Sequence, residues 1–468
     1  LKPKSVAVIG ATERAGAWGS FIMEGLQGMN FYGKIYPVTK RADTVYGLKA
    51  FADVRDIPDP VDLSVLAIPE HMVEENLKAC GEKGVKGVIM ITAGFSEAVV
   101  EGREREIALS KLARSYGMRI LGPNVSGTFN LHARFSASPA ENLFATKLAA
   151  VCQGGYAFYD LLVSARERKM GVGKFIHTGN ECDTDVTDFL EYFETDNEVD
   201  GIIMYLETIR GGRRFVEVAA RVSQKKPIIV HKVGRTESGV RAANSHTGAL
   251  SGPRRIYDGV FNQTNIILSP TMELLLPLAH AAIERPPMRG KNVAIITMGG
   301  SWGVPLTDCL EEQGLIVPEL SYELQKKLRD LGMPIRASTK NPVDIGAAGV
   351  GSLSPDVLSE ISRIMLDSGE IDALILHGLG RPGMLDSDSS VQWKFFMEHE
   401  KAMMTKVSAL EIETGKPVMM GALFTPWESQ TVHDLNNEGM RIYNCLEDIA
   451  RILSLMYRYW QKKENNII

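Results

Sequence analysis

A histidine set among small residues, in the string N-S-H-T-G-A-L over residues 244–250, lies downstream of a glutamate that closes an apolar run, Glu207 of Y-L-E-T. An imidazole that accepts a phosphoryl group and hands it on needs an open approach and a carboxylate to fix its tautomer. Ser245, Thr247, Gly248 and Ala249 give His246 that approach, and Glu207 is the candidate carboxylate. The pair predicts a phosphate-carrying histidine. A plainer role suits the same letters, with Ser245 or Thr247 capping a helix that starts near Pro253 and His246 one of nine histidines without a special task.

Three glycine turns are placed to meet anions. The first, G-A-T-E-R-A-G-A-W-G over residues 10–19, follows an apolar run and opens a helix, so that Gly10, Gly16 and Gly19 would let backbone N–H groups and the helix N-terminus face a phosphate. Thr12 stands where a dinucleotide fold has its second glycine, so this is not G-x-G-x-x-G. Lys40 and Arg41 end the next run where an acid would hold an NAD ribose; a base there favours a phosphorylated ribose, which coenzyme A and NADP both carry. A turn serving only helix packing fits as well. The second and third turns, C-Q-G-G-Y with Gly154 and Gly155, and G-G-S-W-G with Gly299, Gly300 and Ser301, each join a buried run to a helix. Two such N-termini on one anion would stabilise a phosphohistidine, by on the order of 1 kcal/mol each.

The elements that must position these groups form a regular series. Apolar runs of strand length alternate with amphipathic stretches, the pattern of parallel sheets flanked by helices. Strands are predicted at 5–9, 35–38, 63–67, 87–91 and 118–120, then at 148–151, 174–177, 201–206, 227–230 and 266–268, then at 293–297 before a helix at 304–313; a last helix covers 445–462. The break at 133–147 and the linker R-P-P-M-R-G-K at 285–291, where consecutive prolines forbid a helix, divide the chain into residues 1–132, 133–284 and 291–468. A length of 468 residues suits about three units. With 52 basic against 57 acidic residues, the chain offers no footprint for nucleic acid and no cationic face for a membrane. Five dispersed cysteines lack zinc spacing, which predicts no metal site and reduced, cytoplasmic thiols. No apolar run is long enough to span a bilayer.

The segments G-A-T-x-x-x-G, G-K-I-Y-P-V, I-T-A-G-F-S-E, G-P-N, Y-L-E-T-I-R-G-G-R-R-F, K-K-P-I-I-V-H-K-V-G-R-T, S-H-T-G-A-L-S-G and N-P-V-D, in this order over nearly the whole chain, resemble the nucleoside-diphosphate-forming acyl-CoA synthetases, relatives of succinyl-CoA synthetase. The resemblance implies an α/β fold, with an N-terminal Rossmann-like CoA-binding domain followed by two flavodoxin-like, succinyl-CoA synthetase-like domains. It implies that His246 is the phosphorylated histidine and Glu207 its carboxylate, and that coenzyme A is held by the first loop, Lys40, Pro69, and Thr92 and Gly94 of I-T-A-G-F. Asn124 of G-P-N would join the second and third turns at the phosphate and acyl end. It further implies an α subunit acting on a small carboxylic acid or its acyl-CoA in a hetero-oligomer: the chain stops at Ile468 without an ATP-grasp module, so a separate β subunit would carry that module and its Mg-nucleotide.

Three segments depart from the family pattern. S-Q-S-G-A is C-Q-G-G-Y here, removing two hydroxyls at Cys152 and Gly154; N-A-G-G-P-G is M-G-G-S-W-G, placing Trp302 near the expected phosphate or acyl site; and His177 precedes a G-N turn followed by Glu181 where lysine is common. The altered second turn keeps open a non-catalytic CoA-binding scaffold or sensor, and the first loop with Lys40 would also suit an NADP-dependent oxidoreductase. The second of these leaves the histidine string and the third unit without a purpose.

Overall fold

Ser5–Ile9 is apolar at four of five positions and buried throughout, as a strand covered on both faces must be. It sits inside a five-stranded parallel sheet in the order Lys34–Val38, Ser5–Ile9, Leu63–Leu66, Gly87–Met90, Arg119–Leu121. The chain leaves the first strand to one side and returns to the other, which opens a crevice at the carboxyl ends where the order reverses. A computed structural model describes residues 1–99, 101–139, 143–247, 253–333, 335–346, 353–386 and 389–465, with backbone alone at 164, 167 and 243–247.

A second sheet runs Ile267–Leu268, Ile228–Lys232, Gly201–Leu206, Leu148–Cys152, Lys174–His177, Thr128–Asn130, Phe135–Ala137. Its first five strands are parallel and the last two antiparallel. Those last two fall next to and inside the stretch read as a break: at three residues each they are too short to show a period. Asn130 turns the chain between them, its side chain accepting from the N–H groups of His132 and Ala133. Both sheets belong to one unit, Leu1–Arg166 with Met170–Ala279. One continuous core links them, running from Val6, Val65 and Ile89 through Ile22, Leu26 and Phe135 to Val151, Ile176 and Met204.

The other unit, Glu167–Lys169 with His280–Ile468, has its own parallel sheet ordered Val343–Asp344, Val293–Thr297, Ala373–His377, Val418–Gly421, Ile442–Tyr443. Ile296, Leu374, Met403 and Met420 lie at its core. The helix after the third glycine turn spans Gly300–Glu312, four residues earlier than expected, and the last helix spans Leu446–Glu464. The proline segment after Glu284 carries no helix or strand, yet it is anchored: Met288 is buried and Arg285 donates to Glu411 Oε2 (2.7 Å) and the Val418 carbonyl (2.8 Å). Among the described residues no helix is long and apolar enough to cross a membrane.

Candidate active site

A cavity of about 1550 Å³ opens at the carboxyl ends of the strands in the first unit. Gly10, Thr12, Gly16, Gly19, Lys40, Pro69 and Thr92 line it, and so do Asn124, Gly154, Gly155 and Glu207. Gly94 lies off the lining, at φ +108°. Its N–H donates to Glu97 Oε1 (2.5 Å), so it shapes the turn from behind. Gly299, Gly300 and Ser301 belong to the other unit. His246 is on the last turn of the helix Glu237–Thr247, and its side chain lies outside the described residues, as do residues 248–252. The approach to that helix and its first half, Val233, Gly234, Gly239 and Ala242, are cavity wall.

Main chain shapes the first loop. Gly10 has φ +95°, and a Cβ there would lie 2.3 Å from the Ala67 carbonyl oxygen; at Gly19 it would lie 2.0 Å from the Gly10 carbonyl oxygen. The helix Trp18–Gly28 follows Ala17, which gives no side-chain cap, so no N-cap side chain competes with an anion at that helix start. Arg14 and Arg41 join Lys40 on the lining, and Arg14 had drawn no attention in the sequence. Asp53, close to Lys40, is gripped by Arg55 at 2.9 and 2.8 Å, and that grip holds its carboxyl below the ordinary range. Thr92 is buried and spends its hydroxyl proton on the Ile68 carbonyl (2.7 Å). Its own carbonyl accepts from the Asn124 N–H (2.9 Å), and Asn124 Nδ2 reaches Asn180 Oδ1 (3.3 Å), which joins the G-P-N turn to the G-N turn.

Side chains shape the second turn. The helix Gly155–Ala165 has Gly154 as its N-cap without a side-chain cap. A Cβ at Gly155 would lie 2.1 Å from Ser126 Oγ and 2.6 Å from His177 Nδ1, and one at Gly154 would lie 2.6 Å from the Tyr205 ring. A serine at 154 would thus require the Tyr205 ring to move. His177 Nδ1 accepts the Ser126 N–H (2.7 Å), so Nε2 carries the proton and donates to the Gln153 carbonyl (2.9 Å). Gln153 Oε1 accepts from the N–H groups of Glu207 (2.7 Å) and Thr208 (3.0 Å), while its Nε2 donates to Glu181 Oε1 (3.0 Å). Burial pushes the Glu181 carboxyl up to about 7, against the pull of Gln153 and Arg210. Lys232, inside K-V-G-R-T, is buried and donates to the carbonyls of Glu207 (2.7 Å) and Val233 (2.5 Å). Burial lowers its ammonium to about 8, opposed by the Glu207 charge. Glu207 is therefore held at its N–H by Gln153 and at its carbonyl by Lys232, two residues the sequence did not single out.

In the other unit, Gly300 N–H donates to Asp344 Oδ2 of N-P-V-D (3.0 Å), so a carboxylate already sits on that helix start. Trp302 packs against His377 with ring centroids 5.4 Å apart, and burial holds that imidazole down at about 4, neutral.

Residues 4–129 match the CoA binding domain and residues 145–282 the succinyl-CoA ligase like flavodoxin domain. The α subunit of ADP-forming acetate–CoA ligase II from Pyrococcus furiosus is 36% identical over 96% of this chain and 95% of its own. The ADP-forming acetate–CoA ligase of Methanocaldococcus jannaschii is 37% identical over 76% of this chain, which covers 49% of that protein. The dinucleotide forming acetyl-coenzyme A synthetase 1 of Candidatus Korarchaeum cryptofilum, solved with phosphate and ADP, superposes with a TM-score of 0.86 at 32% identity, covering 99% of this chain and 96% of its own. These relatives are acid–CoA ligases, and none favours the scaffold or oxidoreductase readings. The chain belongs to the family of ADP-forming acetate–CoA ligase α subunits.

Proposed function

We propose that the chain, in the cytoplasm, supplies the CoA site and the phosphohistidine for the reaction acyl-CoA + NDP + phosphate ⇌ carboxylate + CoA + NTP on a small carboxylic acid. A phosphate oxygen attacks the thioester carbonyl, the C–S bond breaks and the CoA thiolate leaves, giving an acyl phosphate. His246, neutral, attacks phosphorus; the P–O bond to the acyl group breaks and the carboxylate departs. The phosphoryl group then passes from the histidine to NDP. Glu207 accepts the Nδ1 proton in a hydrogen bond, which leaves Nε2 as the nucleophile. Backbone N–H groups at Gly10 to Gly19 cradle the CoA phosphates and Lys40 meets the ribose 3′-phosphate. Asn124 and the donors at Gly154 and Gly155 serve the transferred phosphate, and in the other unit Gly299, Gly300 and Ser301 form a third turn for phosphate or acyl group, where an anion would take the place of the Asp344 carboxylate on the Gly300 N–H.

The observation that carries this reading is one cavity whose wall includes Lys40 and the first loop, Glu207, and the helix that leads to His246. The nucleotide step is assigned to a β subunit with an ATP-grasp module and its Mg-nucleotide. Two findings support that division: a full-length relative is a subunit alpha, and the chain covers 49% of the M. jannaschii ligase. Incubation with acetyl-CoA and labelled phosphate is expected to leave an acid-labile, base-stable label on His246. His246→Ala abolishes it, and Glu207→Gln lowers its rate by about tenfold or more, since an amide cannot stabilise the developing imidazolium charge. A panel of acyl-CoAs that labels no histidine, with or without the partner, would leave a CoA-binding scaffold. Tighter binding of NADP than of CoA would move the chain to the oxidoreductases.

A further inference from the structure

A carboxamide has a donor end and an acceptor end, and the partners of Gln153 fix which faces which. Its oxygen meets two main-chain N–H groups, those of Glu207 and Thr208, which only an acceptor satisfies. Its nitrogen meets Glu181 Oε1, which only a donor satisfies. A lysine at 181 would instead present a donor to the same nitrogen. The carboxamide would then turn over, aim its NH₂ at the two N–H groups and leave buried donors unmatched.

We infer that Glu181 is a positioning residue of the phosphoryl-transfer centre: its acceptor oxygen sets the orientation of Gln153, which in turn holds the main chain of Glu207. The inference rests on the roles proposed above for Glu207 and His246. Glu181 is only 4% exposed, and its backbone lies at φ +54°, a left-handed conformation uncommon for glutamate that the surrounding turn imposes. Its second oxygen, Oε2, faces Arg210 Nε at 3.7 Å. Asp185 is the other charged group that acts on it. Either protonation state of Glu181 keeps an acceptor toward Gln153, so the orientation persists through neutral pH. The backbone of Gln153 is anchored separately, by His177 Nε2 on its carbonyl. His177 and Glu181 thus support one residue from two sides.

The test uses the full-length chain with acetyl-CoA and labelled phosphate, hydrogen exchange at the Glu207 and Thr208 amides, and CoA affinity. Glu181→Gln retains an acceptor and is expected to stay within about twofold of wild type in all three. Glu181→Met, close in size and without an acceptor, is expected to lose roughly tenfold in labelling rate and to speed exchange at those two amides, with CoA affinity unchanged. Gln153→Glu sets two carboxylates against each other and is expected to fail, whereas Gln153→Glu with Glu181→Gln restores the donor–acceptor pairing and recovers labelling, a rescue that reads out even if a single variant does not fold. Wild-type exchange and labelling in Glu181→Met, or no recovery in the double variant, would overturn the inference. A wild-type protein that takes no label defeats the proposed function instead, and the amide exchange still decides the role of Glu181.

Discussion

At Gly10 and Gly19 an added Cβ would strike carbonyl oxygens of the main chain, at 2.3 and 2.0 Å, whereas at Gly155 and Gly154 it would strike Ser126, His177 and Tyr205 side chains, at 2.1, 2.6 and 2.6 Å. The two turns share a glycine-rich look and a place between strand and helix, but different neighbours require the glycines. The first loop is fixed by backbone against backbone, so its shape depends little on which side chains surround it. The second is a packed set in which the ring at 205 fills the space that a side chain at 154 would need. The first leaves its helix start without a side-chain cap; behind the second, His177 and Glu181 each hold Gln153.

The comparison breaks most readily at Gly10. Gly10→Ala must place a Cβ against the Ala67 carbonyl at a φ of +95°, and is expected to cost about 3 kcal/mol and to abolish CoA binding. Removing the side chain of Ile68, the next nearest group, should not help, because the obstacle is main chain. Gly155→Ala is expected to cost about 2 kcal/mol by overpacking, and Ser126→Ala, which deletes the nearest obstructing atom, should recover much of that loss. Equal responses of the two glycines to their second-site changes, measured by denaturant unfolding, would dissolve the distinction.

A pH series sharpens the second side of it. The Glu181 carboxyl is raised from 4.5 to about 7 in the folded chain by burial, despite Gln153 and Arg210. Between those values the folded state holds a proton that the unfolded state has released, so wild-type stability should fall relative to Glu181→Gln as pH rises from about 4.5 to 7, and level off above. Parallel unfolding curves for the two proteins over that window would show that the carboxyl is solvated.

Much of this could be read in the letters, and the part that could not has a physical cause. The strands Ser5–Ile9, Lys174–His177, Gly201–Leu206 and Val293–Thr297 coincide with their predicted spans because each is a buried apolar run bounded by turn residues. Glu207, Asn124 and both glycine turns of the first unit reach one cavity because parallel sheets deliver strand ends to one edge. The strands Thr128–Asn130 and Phe135–Ala137 were lost to their shortness. Gln153 and Lys232 were passed over because a side chain bound to main-chain groups of another loop leaves no local pattern, and Glu181 stood out as a letter without revealing its contact with Gln153. Lys232 had one available signal, its place in the K-V-G-R-T string beside Glu207's strand.

The smallest expected effect lies at the open end of the first loop. Lys40 shares the cavity wall with Arg14 and Arg41, and Asp53, close to it, is occupied by Arg55. A solvent-facing base that meets a single phosphate contributes on the order of 1 kcal/mol at moderate salt, less as salt rises. Lys40→Glu is therefore expected to weaken CoA by about five- to tenfold and dephospho-CoA by no more than about twofold, in equilibrium titrations at matched ionic strength. Unlike the changes at Gly10, Gly155 and Glu181, it should leave folding and the exchange of the Glu207 and Thr208 amides untouched, because nothing in the second turn leans on it. Equal losses for the two ligands would take the 3′-phosphate away from Lys40 and leave Arg14 and Arg41 as its candidates, while any change at the Glu207 amide would mean that the open loop and the packed turn are coupled after all.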